Sequence, residues 1–201
     1  MHWPWPATSW ATQLAAWRPV IDAGVAGLGM IECSAVVAVG AASDLVQRGP
    51  VPPNVRVCSH VPQSLLLECC DLFVHHGGFN SVREALRLAV PMVIIPWMND
   101  SGVNAARCEA AGVARLLDRV GLSPVTVGEV CAEVLTDPAY RGAAKGMQRR
   151  ILALPSVDIL ITDLESLVRA SSPGPPAGAF SVGGAAAADV VDRTGGEAAF
   201  V

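Results

Sequence analysis

Residues 72–85 run Leu-Phe-Val-His-His-Gly-Gly-Phe-Asn-Ser-Val-Arg-Glu-Ala, and several of these side chains can do chemistry together. The order is a short apolar strand, a turn at Gly77 and Gly78, then a helix opening on Asn80 and Ser81. Such a turn exposes backbone N–H groups, a helix start carries partial positive charge, and Asn80 and Ser81 add side-chain donors. His76 falls at the C-terminal end of the strand, where open α/β sheets bind ligands. The pattern reads as an anion site suited to the diphosphate of a sugar nucleotide.

Two other segments close neighbouring strands. His60-Val61-Pro62-Gln63 comes before the Gly-Gly turn, and Pro96-Trp97-Met98-Asn99-Asp100-Ser101-Gly102-Val103-Asn104-Ala105 comes after it. In a parallel sheet all three meet along one edge. A nucleotide needs a surface for its base, a partner for its ribose and a cradle for its diphosphate. A sugar needs an acceptor for its hydroxyls. Carboxylates accept from diols, while N–H groups and imidazole donate to phosphate oxygens.

The elements that must position these residues follow from periodicity. Trp10 to Leu28 reads as a helix, with Leu14, Trp17, Ile21 and Val25 at spacings of three and four. Pro19 is expected to kink or split it, and Gly24, Gly27 and Gly29 to end it. Ala35 to Gly40 reads as a buried parallel strand and Val55 to Ser59 as an alternating one. A short helix over Gln63 to Cys70, a strand over Leu72 to His75 and a helix over Asn80 to Leu88 come next. They lead to a strand over Met92 to Ile95, a helix over Asn99 to Ala111 and a short strand over Val113 to Leu117. A helix over Thr126 to Leu135 is expected to start on a Thr126 cap with Glu129 three residues on. Helices over Pro138 to Leu154 and Val157 to Val168 close the series. Alternating strand and helix imply right-handed βαβ units. The predicted fold is α/β, a Rossmann-like parallel sheet flanked by helices in a single domain. Residues 1–9 read as an irregular segment, 10–170 as the nucleotide-sugar-binding domain, and 171–201 as a flexible Gly/Ala/Pro-rich tail.

Composition narrows the function classes. The chain is 52% hydrophobic and 16% charged over 201 residues, which suits one buried core. A formal net charge of -4 without a basic run argues against nucleic acid as a partner. The apolar stretch from Val20 to Val46 is broken by Asp22, Glu32 and Asp44, which argues against a membrane span. The six cysteines show neither C-x-x-C spacing nor histidines at metal-ligand intervals. They read as reduced thiols of a cytoplasmic protein, with no metal site and no cofactor implied.

The matching text Val55 to Gln63, Leu65 to Leu86 and Val90 to Ala114 resembles the C-terminal, donor-binding half of the GT-B UDP-glycosyltransferases. The bacterial macrolide and antibiotic glycosyltransferases belong to that group. The resemblance rests on H-x-G-x-N-S-x-x-E, a V-P-M step and P-x-x-x-D at the matching distance. It implies that His76, with Gly77, Gly78, Asn80 and Ser81, holds the diphosphate. It further implies that Glu84 and Gln63 serve the ribose and base side, and that Asp100 accepts from the donor-sugar hydroxyls. The implied donor is a UDP- or dTDP-sugar, and the implied reaction is inverting transfer to a hydroxyl of a small-molecule acceptor such as a natural product.

Departures from the family pattern bear on His60 and Ser101. His60 stands where plant members carry a base-stacking Trp, and Ser101 stands where many members have Gln. With Trp97 these are candidate base or sugar contacts. The family's N-terminal, acceptor-binding half and its catalytic base have no counterpart in this sequence, so no catalytic residue is assigned. Two other readings are open: a donor-binding subunit acting with a separate acceptor-binding chain, and an inactive remnant. Plainer roles compete at single positions. His75 reads as structural because strand alternation turns it away from His76. Asp100 also fits a helix N-cap, Trp97 a packing residue, and Glu84 a solvent-facing helix position.

Overall fold

The computed structural model describes residues 8–40, 50–97 and 100–171. They fall into two compact units that divide after Leu152. The first unit runs α1 (Thr8–Leu28), β1 (Ala35–Ala38), β2 (Val55–Cys58), α2 (Gln63–Leu67), β3 (Phe73–His75), α3 (Phe79–Arg87), β4 (Met92–Ile94), α4 (Ser101–Ala110), β5 (Ala114–Leu116), α5 (Pro124–Thr136) and α6 (Pro138–Leu152). The second carries α7 (Val157–Ser171), whose Leu160, Leu164 and Leu167 recur at helical spacing and are exposed. The expected irregular segment at 1–9, save its last two residues, lies outside the described residues. The expected tail does too, apart from Ser171, which ends α7.

The strands pair in parallel, as the alternation of strand and helix requires. Among the described residues they form two parallel sheets where one was expected: β1 with β2, and β3, β4, β5 in that order. Val37 faces Val57 in the first, and Val74, Val93 and Arg115 align across the second. β4 is the most deeply buried strand, with Met92, Val93 and Ile94 fully covered. Its side chains alternate between two cores. Met92 and Ile94 join Val82 and Ala85 of α3, Ala105 and Cys108 of α4, and Ala144 of α6. Val93 and Ile95 join Val20 and Ala23 of α1, and Val127, Cys131 and Val134 of α5. Helices therefore cover both faces, and a strand apolar at every position is what such a site selects. A third cluster packs Ile21 and Val25 of α1 on Val37, Val39 and Val55, and Trp17 and Leu28 touch both this cluster and the second. So α1 lies across both sheets.

Three local expectations are corrected. Pro19 does not split α1, which continues to Leu28. Pro19 is exposed while Val20 and Ile21 are buried, so packing on the inner face outweighs the lost backbone hydrogen bond. Nor do Gly24 and Gly27 end the helix. A Cβ at Gly27 would stand 2.5 Å from the Pro124 carbonyl oxygen and 2.9 Å from Val127 Cβ, so Gly27 is there to let α1 cross α5 closely. Finally, α5 begins two residues earlier than expected. Its cap is Ser123, whose hydroxyl accepts from the Thr126 N–H at 3.1 Å, with Pro124 at the first helical position. All six cysteines are free; Cys108 and Cys131 are buried, whereas Cys69 is exposed.

Candidate functional site

The site is built where β3 passes into α3. Phe73 and His75 point into the core, and the chain then turns through Gly77 at φ +89°. Only glycine adopts this conformation without strain, and the space is closed as well. A Cβ on Gly77 would stand 2.9 Å from Ile94 Cγ2 and 3.0 Å from the Ser101 carbonyl oxygen. The turn is also fixed by hydrogen bonds at both ends of the residue. The Gly77 N–H donates to His75 Nδ1 at 3.1 Å, and the Gly77 carbonyl accepts from Asn104 Nδ2 at 3.0 Å. The first of these takes one of the amides that the sequence leaves open to an anion.

The open donors come one step later. Gly78 is the N-cap of α3 in extended conformation, with no side-chain cap. The Val82 N–H makes the first helical bond, to the Gly78 carbonyl at 3.1 Å. The amides of Phe79, Asn80 and Ser81 precede it and have no acceptor in the helix, which is the arrangement that receives an anion. His76 reaches over this opening: a Cβ at Gly78 would stand 2.6 Å from His76 Nε2. Gly78 therefore makes room for the imidazole at the helix mouth. Asn80 is exposed there, while Ser81 is buried at 7% exposure.

One turn along α3, Glu84 meets Gln63 from the start of α2, with Gln63 Nε2 donating to Glu84 Oε2 at 2.7 Å. Gln63 Oε1 is buried and has no hydrogen-bond partner among the described residues. The two residues from separate segments thus form one polar pair beside the helix mouth. On the other side, Asp100 precedes α4 but does not cap it with its side chain. Its Oδ2 accepts instead from Asn104 Nδ2 at 3.0 Å. Asn104 was not among the residues singled out in the sequence, although its place four residues after Asp100 on one helix face carries that signal.

Other candidates take different places. Ser101 is 2% exposed, and its hydroxyl accepts from the Trp97 N–H at 3.1 Å, which ties Trp97 to the start of α4. The Trp97 ring stacks on Trp17 at 4.5 Å, and the Arg119 guanidinium lies 4.5 Å from the same ring. This places Trp97 in a packed aromatic–cation group. His60 is exposed in the loop after β2. His75 is 2% exposed and stacked on Phe73 at 4.5 Å. Burial first, and the neighbouring His76 second, lower its pKa to about 3. Among the described residues, no three His, Cys, Asp or Glu side chains gather as a metal site. No helix among them is long and apolar enough to cross a membrane.

Known proteins share this arrangement of elements. The 3-alpha-mycarosylerythronolide B desosaminyl transferase of Saccharopolyspora erythraea is 41% identical over 106 residues, 53% of this chain and 25% of that protein. The elloramycin glycosyltransferase ElmGT of Streptomyces olivaceus is 31% identical over 142 residues, 70% of this chain and 34% of that one. Among solved structures, the glycosyltransferase VinC in complex with dTDP matches at a TM-score of 0.70 and 27% identity, covering 78% of this chain and 40% of VinC. The spinosyn rhamnosyltransferase SpnG complexed with thymidine diphosphate matches at 0.67 and 26%, covering 77% of this chain and 42% of SpnG. The chain thus spans about a quarter to two fifths of the length of the relatives it matches. Residues 24–167 match the erythromycin biosynthesis protein CIII-like, C-terminal domain, and the chain belongs to that glycosyltransferase family.

Proposed function

We propose that this chain is the donor-binding half of a glycosyltransferase that holds a UDP- or dTDP-linked sugar for inverting transfer to a hydroxyl of a small-molecule acceptor. The observation that carries this reading is the convergence of three groups at one helix mouth. The free amides of α3 and His76 meet the diphosphate. The Gln63–Glu84 pair lies one turn along for the ribose and base. Asp100, tied to the Gly77 turn through Asn104, serves the sugar hydroxyls. Two structural relatives in complex with thymidine diphosphate support the nucleotide assignment.

The chemistry of this half is stabilisation of the leaving group. As the glycosidic oxygen departs with the nucleoside diphosphate, negative charge grows on the phosphate oxygens. Preorganised amides and an imidazole donor aimed at that charge lower the barrier without reorganising. In this reading they also offset the diphosphate charge that metal ions offset at other sites. Deprotonation of the acceptor hydroxyl falls to a base in an acceptor-binding half.

Calorimetric titration with UDP and dTDP tests the reading. The folded chain is expected to bind at least one of them, and His76→Ala to weaken that binding about tenfold, or ~1.4 kcal/mol. Absence of binding of either nucleotide to folded protein overturns the proposal.

A further inference from the structure

We propose that Asn104 is a positioning residue that fixes the distance between the sugar-accepting carboxylate and the diphosphate turn; this rests on the donor-site reading above. Its side-chain amide has two N–H groups and uses both. One donates to the Gly77 carbonyl at 3.0 Å and the other to Asp100 Oδ2 at 3.0 Å. Both partners are acceptors without a proton to give, so the NH2 end of the amide must face them. The orientation is thus set by chemistry.

Three consequences follow from this geometry. Asp100 is anchored through one oxygen, which leaves Oδ1 to accept from a ligand diol. Gly77 is held from two elements, its N–H by His75 at the end of β3 and its carbonyl by Asn104 in α4. The amides of Phe79, Asn80 and Ser81 follow Gly77 after the single residue Gly78, so their position is referenced to Asp100 through one side chain. Asn104 sets how well one rigid ligand satisfies both subsites, since a bound sugar nucleotide has a fixed span between its phosphates and its sugar hydroxyls.

This dependence separates Asn104 from a residue that merely supports the fold. Removing the amide should leave a nucleoside diphosphate almost unaffected. Gly77 keeps its bond to His75 and its packing against Ile94 and Ser101. The affinity added by the sugar should be lost, because Asp100 is free to rotate. Asn104→Leu keeps the branched shape with a somewhat larger apolar end and removes both donors, and Asn104→Ala removes both volume and donors.

The experiment measures Kd for UDP, dTDP and their glucose conjugates on the full chain and on Asn104→Leu, Asn104→Ala, Asp100→Ala and the Asp100→Ala/Asn104→Leu pair. The expected result is a nucleoside diphosphate Kd within about twofold of the parent chain and a glucose-conjugate Kd about tenfold weaker in both Asn104 variants. In the Asp100→Ala background, Asn104→Leu should add less than about twofold. Parental affinity for the conjugates in Asn104→Leu overturns the proposal. So does an undiminished Asn104→Leu effect once Asp100 is gone, and so does a parent chain that gains nothing from the sugar. If the parent chain binds none of the four ligands, the donor-site reading falls and this inference falls with it. Should Asn104→Leu fail to fold, Asn104→Ala carries the same comparison.

Discussion

His75 shows how one residue can serve a site without facing it. Its Nδ1 accepts from the Gly77 N–H, which assigns the ring proton to Nε2, and Nε2 is buried with no partner among the described residues. A second proton would have to sit on Nδ1, facing the Gly77 donor in an apolar surround. The folded-state pKa, about 3, is therefore below the ordinary histidine value. The unfolded chain takes up the proton as pH falls through about 6.5, while the folded chain resists until about 3. The stabilisation is complete above about 6.5 and is lost as pH falls between these values, by at most ~1.4 kcal/mol per pH unit. Urea unfolding from pH 7 to 5 should show this loss, and His75→Leu should flatten it, at the cost of a lower stability at pH 7. An equal slope in the variant would show that His75 does not carry it. The sequence made His75 legible as a core residue by strand alternation alone. The Asn104 bridge was less accessible, because its partners lie four and 27 residues away and only the turn of the chain at Gly77 brings them to one amide.

At the scale of elements, the order of strands and helices was legible because buried parallel strands and amphipathic helices differ in period. What misled was local punctuation. Glycine and proline within α1 carry stop signals, yet tertiary contacts decide what they do there. Gly27 sits against α5, and Gly128 reciprocates, since a Cβ on Gly128 would stand 3.0 Å from the Gly27 carbonyl oxygen. Gly24, one turn earlier, has nothing within 4 Å of the same position. The two glycines therefore make opposite predictions. Alanine at either gains about 0.5–1 kcal/mol of helix propensity. Gly24→Ala should keep that gain and raise the urea midpoint. Gly27→Ala should lose it to overpacking of about 1–3 kcal/mol and lower the midpoint. A higher midpoint in both variants would mean that the α1–α5 crossing tolerates a wider spacing. In a similar way, Ser123 displaces Thr126 as the cap of α5. The Ser-Pro pair places a side-chain acceptor just before a residue whose ring suits the first helical position, and that signal outranks the Thr–Glu spacing.

At the scale of the whole molecule, two parallel sheets share one covering helix. β1 bonds to β2 through alternate residues, with the Ala35 N–H donating to the Asn54 carbonyl and the Val39 N–H to the Cys58 carbonyl. The intervening Val36 and Ala38 must turn their backbone groups the other way. β3 does the same: the Phe73 N–H donates to the Pro91 carbonyl and the His75 carbonyl accepts from Ile95, so Val74 points away from β4. Among the described residues no strand pairs with either of these edges. A cavity of about 40 Å³ lies beside them, lined by Trp17, Ile21 and Leu28 of α1 with Val37 and Val74. It is large enough for water, and its lining is apolar apart from His75 and His76. Unpaired amides next to such a space are the first to open, because each lacks a ladder bond that global unfolding would have to break. Native-state hydrogen exchange should find the amides of Val36, Ala38 and Val74 at least about tenfold less protected than those of Val37 and His75, which bond within a sheet. Equal protection would mean that both edges are paired, and the two sheets would then act as one. Because β3 leads straight into the Gly77 turn, nucleotide binding at α3 should raise protection at Val74 before it does so at Val36.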